Sequence, residues 1–228
     1  MKIFVRFSLT LILLFTLSGC DILEVVNELR GTPTPDTKTN VLFYDEFSSP
    51  FSGWDIDTGD DGQTVYIEGG YLIWVKQPNL DLWANPGLDL KDVSIEVDAA
   101  RVDGPLSNTY GLICRYQDVD HFYFGIVGSD GYYAIGKRFD GENILLSGEK
   151  LQPTNKVADG TTVNHLRFDC NGSRLDLYAN GYLLAHVEDE DFLQGDVGVI
   201  AGTLEESGVA VTFDNFAVFA PPASTDTP

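Results

Sequence analysis

From residue 41 onward, apolar and polar positions alternate with a period of two, and no stretch of ten residues after residue 30 keeps a helical period. "TVYIEGGYLIWVK" reads as a hairpin turning at Gly69-Gly70. "VSIEVDAARV" sets Val93, Ile95, Val97 and Ala99 against polar neighbours, and "NHLRFDCNGSRLDLYANGYLLAHVE" contains two Asn-Gly turn signals, at Asn171-Gly172 and Asn180-Gly181. In "HFYFGIVGSDGYYAIGK" alternation divides the aromatic residues between two faces. Phe122, Phe124 and Ile126 are expected in the core, while His121, Tyr123 and Val127 share the face left open to a ligand. Gly128 to Gly131 forms the turn between the two runs. About twelve to fourteen strands in roughly 180 residues exceed an immunoglobulin sandwich and predict an all-β, two-sheet antiparallel jelly roll.

The first forty residues follow different rules. Lys2 and Arg6 precede the apolar run "FSLTLILLFTL", which is short for a bilayer span and reads as the signal peptide, residues 1–19. Leu17, Ser18 and Gly19 before Cys20 resemble the bacterial lipobox, which implies that Cys20 is lipidated and becomes the mature N-terminus. The chain is then expected outside the cytoplasm, held on a bacterial membrane through its N-terminal lipid. Residues 20–40 read as a Thr/Pro-rich tether, 41–219 as the folded domain, and 220–228, ending "PPASTDTP", as a disordered tail.

Composition narrows the chemistry. Without Lys2 and Arg6, 12 of the 14 basic residues remain against 35 acidic ones, a formal net charge of −23. That excess argues against nucleic acid as a partner and makes divalent cations plausible ones. With Cys20 assigned to lipid, Cys114 and Cys170 remain in an oxidising setting, where one disulfide is expected; the alternative is two separately buried thiols. His121, His165 and His186 are widely spaced, without a zinc-binding pattern.

The segments "DEFSSPFSGW", "YGLICRY", "HFYFGIVGSDGYYAIGK", "LDLYANGYLLAHV" and "VTFDNFAVF" resemble the concanavalin A-like lectin/glucanase superfamily. The likeness is to its laminin-G-like and 3-keto-disaccharide-hydrolase-type domains and covers essentially all of 41–219. It implies a non-catalytic carbohydrate-binding role, with a protein-interaction module and a glycoside-acting hydrolase as the alternatives. Glucanase members carry Glu-x-Asp-x-x-Glu; here "EVDAAR" offers Glu96 and Asp98 but places Arg101 where the second catalytic carboxylate belongs. Sugars stack on aromatic rings while Asp, Asn and Arg take their hydroxyls. Trp83, Arg115, Tyr123, Tyr133 and Lys137 are therefore the candidate ligand set, on the concave sheet.

No cofactor is expected other than structural calcium. The resemblance implies a calcium position where first and last strands run together, with Asp45 and Asp214 as candidates. A weaker candidate is "DTGDDGQTVYIE", where Asp57, Asp61 and Glu68 keep EF-hand-like spacing, although Gly59 replaces an expected ligand and the flanks read as strands.

Overall fold

The computed structural model describes residues 40–221; the expectations for residues 1–19, Cys20, the tether up to residue 39 and the tail from residue 222 lie outside it. Sixteen strands in two antiparallel sheets account for most of the described residues. The larger sheet contains β1 (Val41–Asp45), β2 (Asp57–Thr58), β3 (Gly62–Ile67), β4 (Gly70–Val75), β6 (Val93–Asp103), β12 (Asn164–Asn171), β13 (Arg174–Ala179), β14 (Tyr182–Glu188) and β16 (Val209–Phe219). Its order is β14-β13-β12-β6-β16-β4-β3-β2, with β1 also pairing β16. The smaller sheet contains β5 (Asp81–Ala84), β7 (Asn108–Asp118), β8 (His121–Gly128), β9 (Tyr132–Phe139), β10 (Glu142–Leu145), β11 (Gln152–Pro153) and β15 (Asp196–Thr203). There the order is β10-β9-β8-β7-β15-β5, with β11 pairing β9.

Local chemistry explains the turns. Asn180 and Gly181 connect β13 to β14 with φ of 52° and 81°, the doubly left-handed geometry of a type I′ hairpin that Asn-Gly favours.

 Gly131 donates its N–H to Gly128 O at 3.0 Å and closes the turn between β8 and β9. The main core lies between the sheets, where Phe168, Leu177, Val97 and Phe213 of the larger sheet meet Leu112, Tyr123, Val127 and Ile135 of the smaller one, all fully buried. A side chain added at Gly125 of β8 would stand 2.9 Å from the Phe168 ring, so β8 presents its odd-numbered positions to the larger sheet. Cys114 of β7 and Cys170 of β12 form a disulfide through this core, with Cα atoms 6.8 Å apart, joining the two sheets covalently.

This orientation reverses the expectation for β8. Tyr123 and Val127 are the core side chains, and Phe122, Phe124 and Ile126 occupy the outer face of the smaller sheet. Both faces are buried, at 1%, 3% and 9% exposure for the outer three, so alternation could not tell which one meets the larger sheet.

Candidate ligand-binding cleft

The outer face of the smaller sheet follows from its register. Trp83 of β5 lies beside Ile200 of β15, then Gly111 of β7, Ile126 of β8 and Ala134 of β9. The next row runs Gly198, Ile113, Phe124, Gly136 and Leu145. Large apolar side chains thus alternate with glycine and alanine across the strands. Gly136 is needed beneath Phe124, because an added Cβ there would come within 2.4 Å of the ring; one at Gly202 would come within 2.0 Å of an Asp81 carboxylate oxygen.

The face is concave. Six strands laid flat would separate β5 from β10 by about 24 Å, five spacings of roughly 4.8 Å. Yet Asn143 of β10 donates its side-chain amide to Asp81 Oδ2 of β5 at 2.9 Å. The sheet must curl around this face to bring its opposite edges together. Arg138 of β9 adds a second cross-cleft contact, its guanidinium 5.6 Å from the Trp83 ring centroid, and its Nη1 donates to Asn143 Oδ1 at 3.3 Å. The Trp83 ring packs 5.1 Å from Phe122.

Beneath the Asp81–Asn143 bridge is a pocket of about 230 Å³. Phe124, Ile126, Ile200, Leu145, Leu151 and Leu204 supply its apolar wall; Asp81, Thr109 and Asn143 supply the polar groups. Burial raises the Asp81 carboxyl above its ordinary value, while the Asn143 hydrogen bond and the Arg138 charge oppose that rise. A shallower depression of about 590 Å³ is bordered by Asp89, Tyr116, Gln117, Gln194 and Asp196. Its carboxylates are engaged: Asp196 accepts from the N–H groups of Gly87, Leu88 and Val197, each at 2.8 Å, and Asp89 accepts from Gln194 at 2.8 Å.

Of the five residues expected to form the ligand set, Trp83 alone lies in the cleft, and its ring is already packed against Phe122 and Arg138. Arg115, Tyr123 and Lys137 instead meet the chain's own acidic loop after β14. Arg115 is 1% exposed, at a bulge in β7 with φ of 53° that turns its side chain inward. Its guanidinium donates to Phe192 O at 2.9 Å and to Asp92 Oδ1 at 3.2 Å. Tyr123 donates its hydroxyl to Asp189 Oδ1 at 2.5 Å and accepts from Phe192 N at 3.1 Å. Lys137 binds Asp189 at 2.6 Å and also contacts Asp191. Tyr133 is half-buried against the main core. The interior polar groups therefore hold residues 189–192 in place. Asp81, Asn143 and Arg138 were missed; period two from Trp83 does put Asp81 on its face, whereas the meeting of Asp81 with Asn143 spans 62 residues and leaves no local signal.

The cation candidates separate. Both oxygens of Asp45 are occupied, by Phe47 N at 2.7 Å and Trp54 Nε1 at 2.9 Å, and Asp214 accepts from Asn215 N at 2.7 Å. Asp61 precedes β3 whereas Glu68 follows it, and that strand of six residues sets those two about 20 Å apart, while Asp57 of β2 pairs with Thr64 partway along it. They cannot close one EF-hand-like loop. Among the described residues no three His, Cys, Asp or Glu side chains gather as a metal site. Glu96 and Asp98 lie on β6 of the larger sheet, away from the cleft, where both contact His165. That imidazole is pushed up to about 9 by Glu96 and Asp98, against the opposing effect of burial.

No protein-family model matches the chain, and no curated protein does. Among solved structures it is similar to the carbohydrate-binding module CBM66 from Bacillus subtilis, with a TM-score of 0.59 and 19% identity over 74% of this chain and 96% of that one. The fold is the concanavalin A-like jelly roll. A Bacillus licheniformis beta-glucanase shares this concanavalin A-like fold at a TM-score of 0.55 and 10% identity, over 81% of this chain and all of that one. So does a Bacillus subtilis protein of unknown function with a galectin-like fold, at a TM-score of 0.55 and 11% identity, covering 79% of this chain and 96% of the other.

Proposed function

We propose that the chain is an exported, lipid-anchored bacterial protein whose jelly-roll domain binds carbohydrate in the concave cleft without cleaving it. The observation that carries this reading is the Asp81–Asn143–Arg138 group at the rim of an apolar cleft. A carboxylate, an amide and a guanidinium are the groups that take sugar hydroxyls, and the apolar wall accepts the C–H faces of a ring. The solved structures of similar fold include a carbohydrate-binding module and a glucanase, which favours a glycan ligand over a protein partner.

Non-catalytic binding is favoured over hydrolysis because Asp81 is the one carboxylate among the residues lining the pocket. Retaining hydrolysis needs two, about 5 Å apart across the bond to be cut. The test is a glycan array followed by calorimetry on the hits, with Asp81→Ala and Asn143→Ala as cleft variants. Loss of binding in both, in variants that still melt cooperatively, is the expected outcome. Binding to no glycan would overturn the reading, and release of reducing sugar would replace it with hydrolysis. Export and lipidation have a separate check: mass spectrometry of the membrane fraction should find an acylated N-terminal Cys20.

A further inference from the structure

The pocket under the Asp81–Asn143 bridge is more aliphatic than a sugar ring requires. Ile126, Leu145, Leu151, Ile200 and Leu204 supply most of its wall, and Phe124 is its one aromatic member. Sugar rings are usually held on flat aromatic faces, but Trp83, the nearest indole, is already packed against Phe122 and Arg138. The space is also small, about 230 Å³. An engineered cavity of about 150 Å³ lined by aliphatic and aromatic side chains stays dry and takes up benzene, so a larger one has room for a slightly longer hydrocarbon. Polar groups are confined to Asp81, Thr109 and Asn143, giving the site an apolar interior and a hydrogen-bonding rim.

We propose that this pocket receives the alkyl group of an amphiphile, about six to eight carbons long, whose uncharged hydroxyl-bearing head meets Asp81 and Asn143. An anionic head is disfavoured by Asp81 itself and by the acidic excess of the whole chain, formally −21. With a sugar as the head the ligand is an alkyl glycoside or a glycolipid, and that part of the inference rests on the carbohydrate reading. The alkyl part depends only on the pocket.

The purified full chain should be titrated by calorimetry with n-alkyl glucosides from methyl to octyl, below their micelle concentrations, and with the matching n-alcohols. Burying a CH₂ contributes about 0.8 kcal/mol, so affinity should rise about fourfold per added methylene and level off near hexyl, once the pocket is filled. Leu151→Trp, which fills the space, should abolish the rise while the protein still melts cooperatively; Leu204→Phe serves if that variant does not fold. Affinity that is flat from methyl to octyl would overturn the proposal, even if glycans bind the array. An identical rise in the filled variants would overturn it too, since the chain would then be adsorbing elsewhere. Alcohols showing the rise, with methyl glucoside and the array silent, would support the alkyl site while removing the carbohydrate reading.

Discussion

The smaller sheet has two buried faces that differ in how they are covered. Its inner face is covered by a second sheet and crossed by the Cys114–Cys170 disulfide. Its outer face is covered by its own curl: Trp83, Tyr116 and Phe122 pack on one another, and the edge strands join through Asp81 and Asn143. The second arrangement leaves a pocket of about 230 Å³. Similar alternating apolar sequence thus makes a core where another layer closes over it and an open cleft where the sheet folds upon itself.

The sharpest way to break this comparison is to truncate one aromatic on each face. Phe168→Ala, in the core between the sheets, should cost about 3–5 kcal/mol. Phe124→Ala should cost less than half of that, because its ring borders existing empty space and the pocket only widens. Urea unfolding of both variants measures the difference, and equal losses would show that the outer face is an ordinary core. Reduction of the disulfide, which bridges only the inner face, should cost about 2–5 kcal/mol in the same assay.

A smaller effect is expected at the acidic loop. Tyr123→Phe removes a hydrogen bond to a charged partner and should destabilise by about 1.5–3 kcal/mol. Amide exchange at residues 189–192 should quicken while cleft binding is unchanged; a loss of glycan or alkyl glucoside binding would instead join the loop to the cleft.

Asp81 sharpens the comparison through pH. Its folded carboxyl titrates above the ordinary 3.8, so the fold disfavours the ionised form, and stability falls as pH rises from 3.8 through the folded value. Asp81→Asn keeps an acceptor for Asn143 without the charge. It should melt higher than the parent at pH 7, with the gain closing as pH falls toward 3.8; no pH dependence in the difference would mean the carboxylate is well solvated. The smallest effect is expected at His165, on the solvent face of the larger sheet. Its imidazole titrates near 9, above the ordinary 6.5, so its contribution is complete below 6.5 and is lost as pH rises through 9. Side-chain exposure of 48% screens that contribution, and His165→Gln should shift melting only slightly, at pH 6 and not at pH 10. An NMR titration of the ring checks the value directly.

Much of the architecture was legible locally. Turn residues such as Asn180-Gly181 and the Gly128–Gly131 segment marked hairpins because their backbone requirements are met within a few residues. The face assignment of β8 was not legible, because both of its faces are apolar and buried. Arg115 was misread for a different reason: a bulge in β7 interrupts the period of two and turns a polar surface position into the interior.

By itself the sequence determined that this is an all-β sandwich, because alternation and turn chemistry act locally, and it led to the expectation of one disulfide, which the structure forms between Cys114 and Cys170. Only the tertiary structure decided which apolar face became the core and which the cleft. It also turned Arg115, Tyr123 and Lys137 from a ligand set into the clamp of an acidic loop, and brought Asp81 to Asn143. The physical reason is curvature: a sheet's bend is the sum of small twists and close glycine contacts over six strands, and no short stretch of chain encodes it.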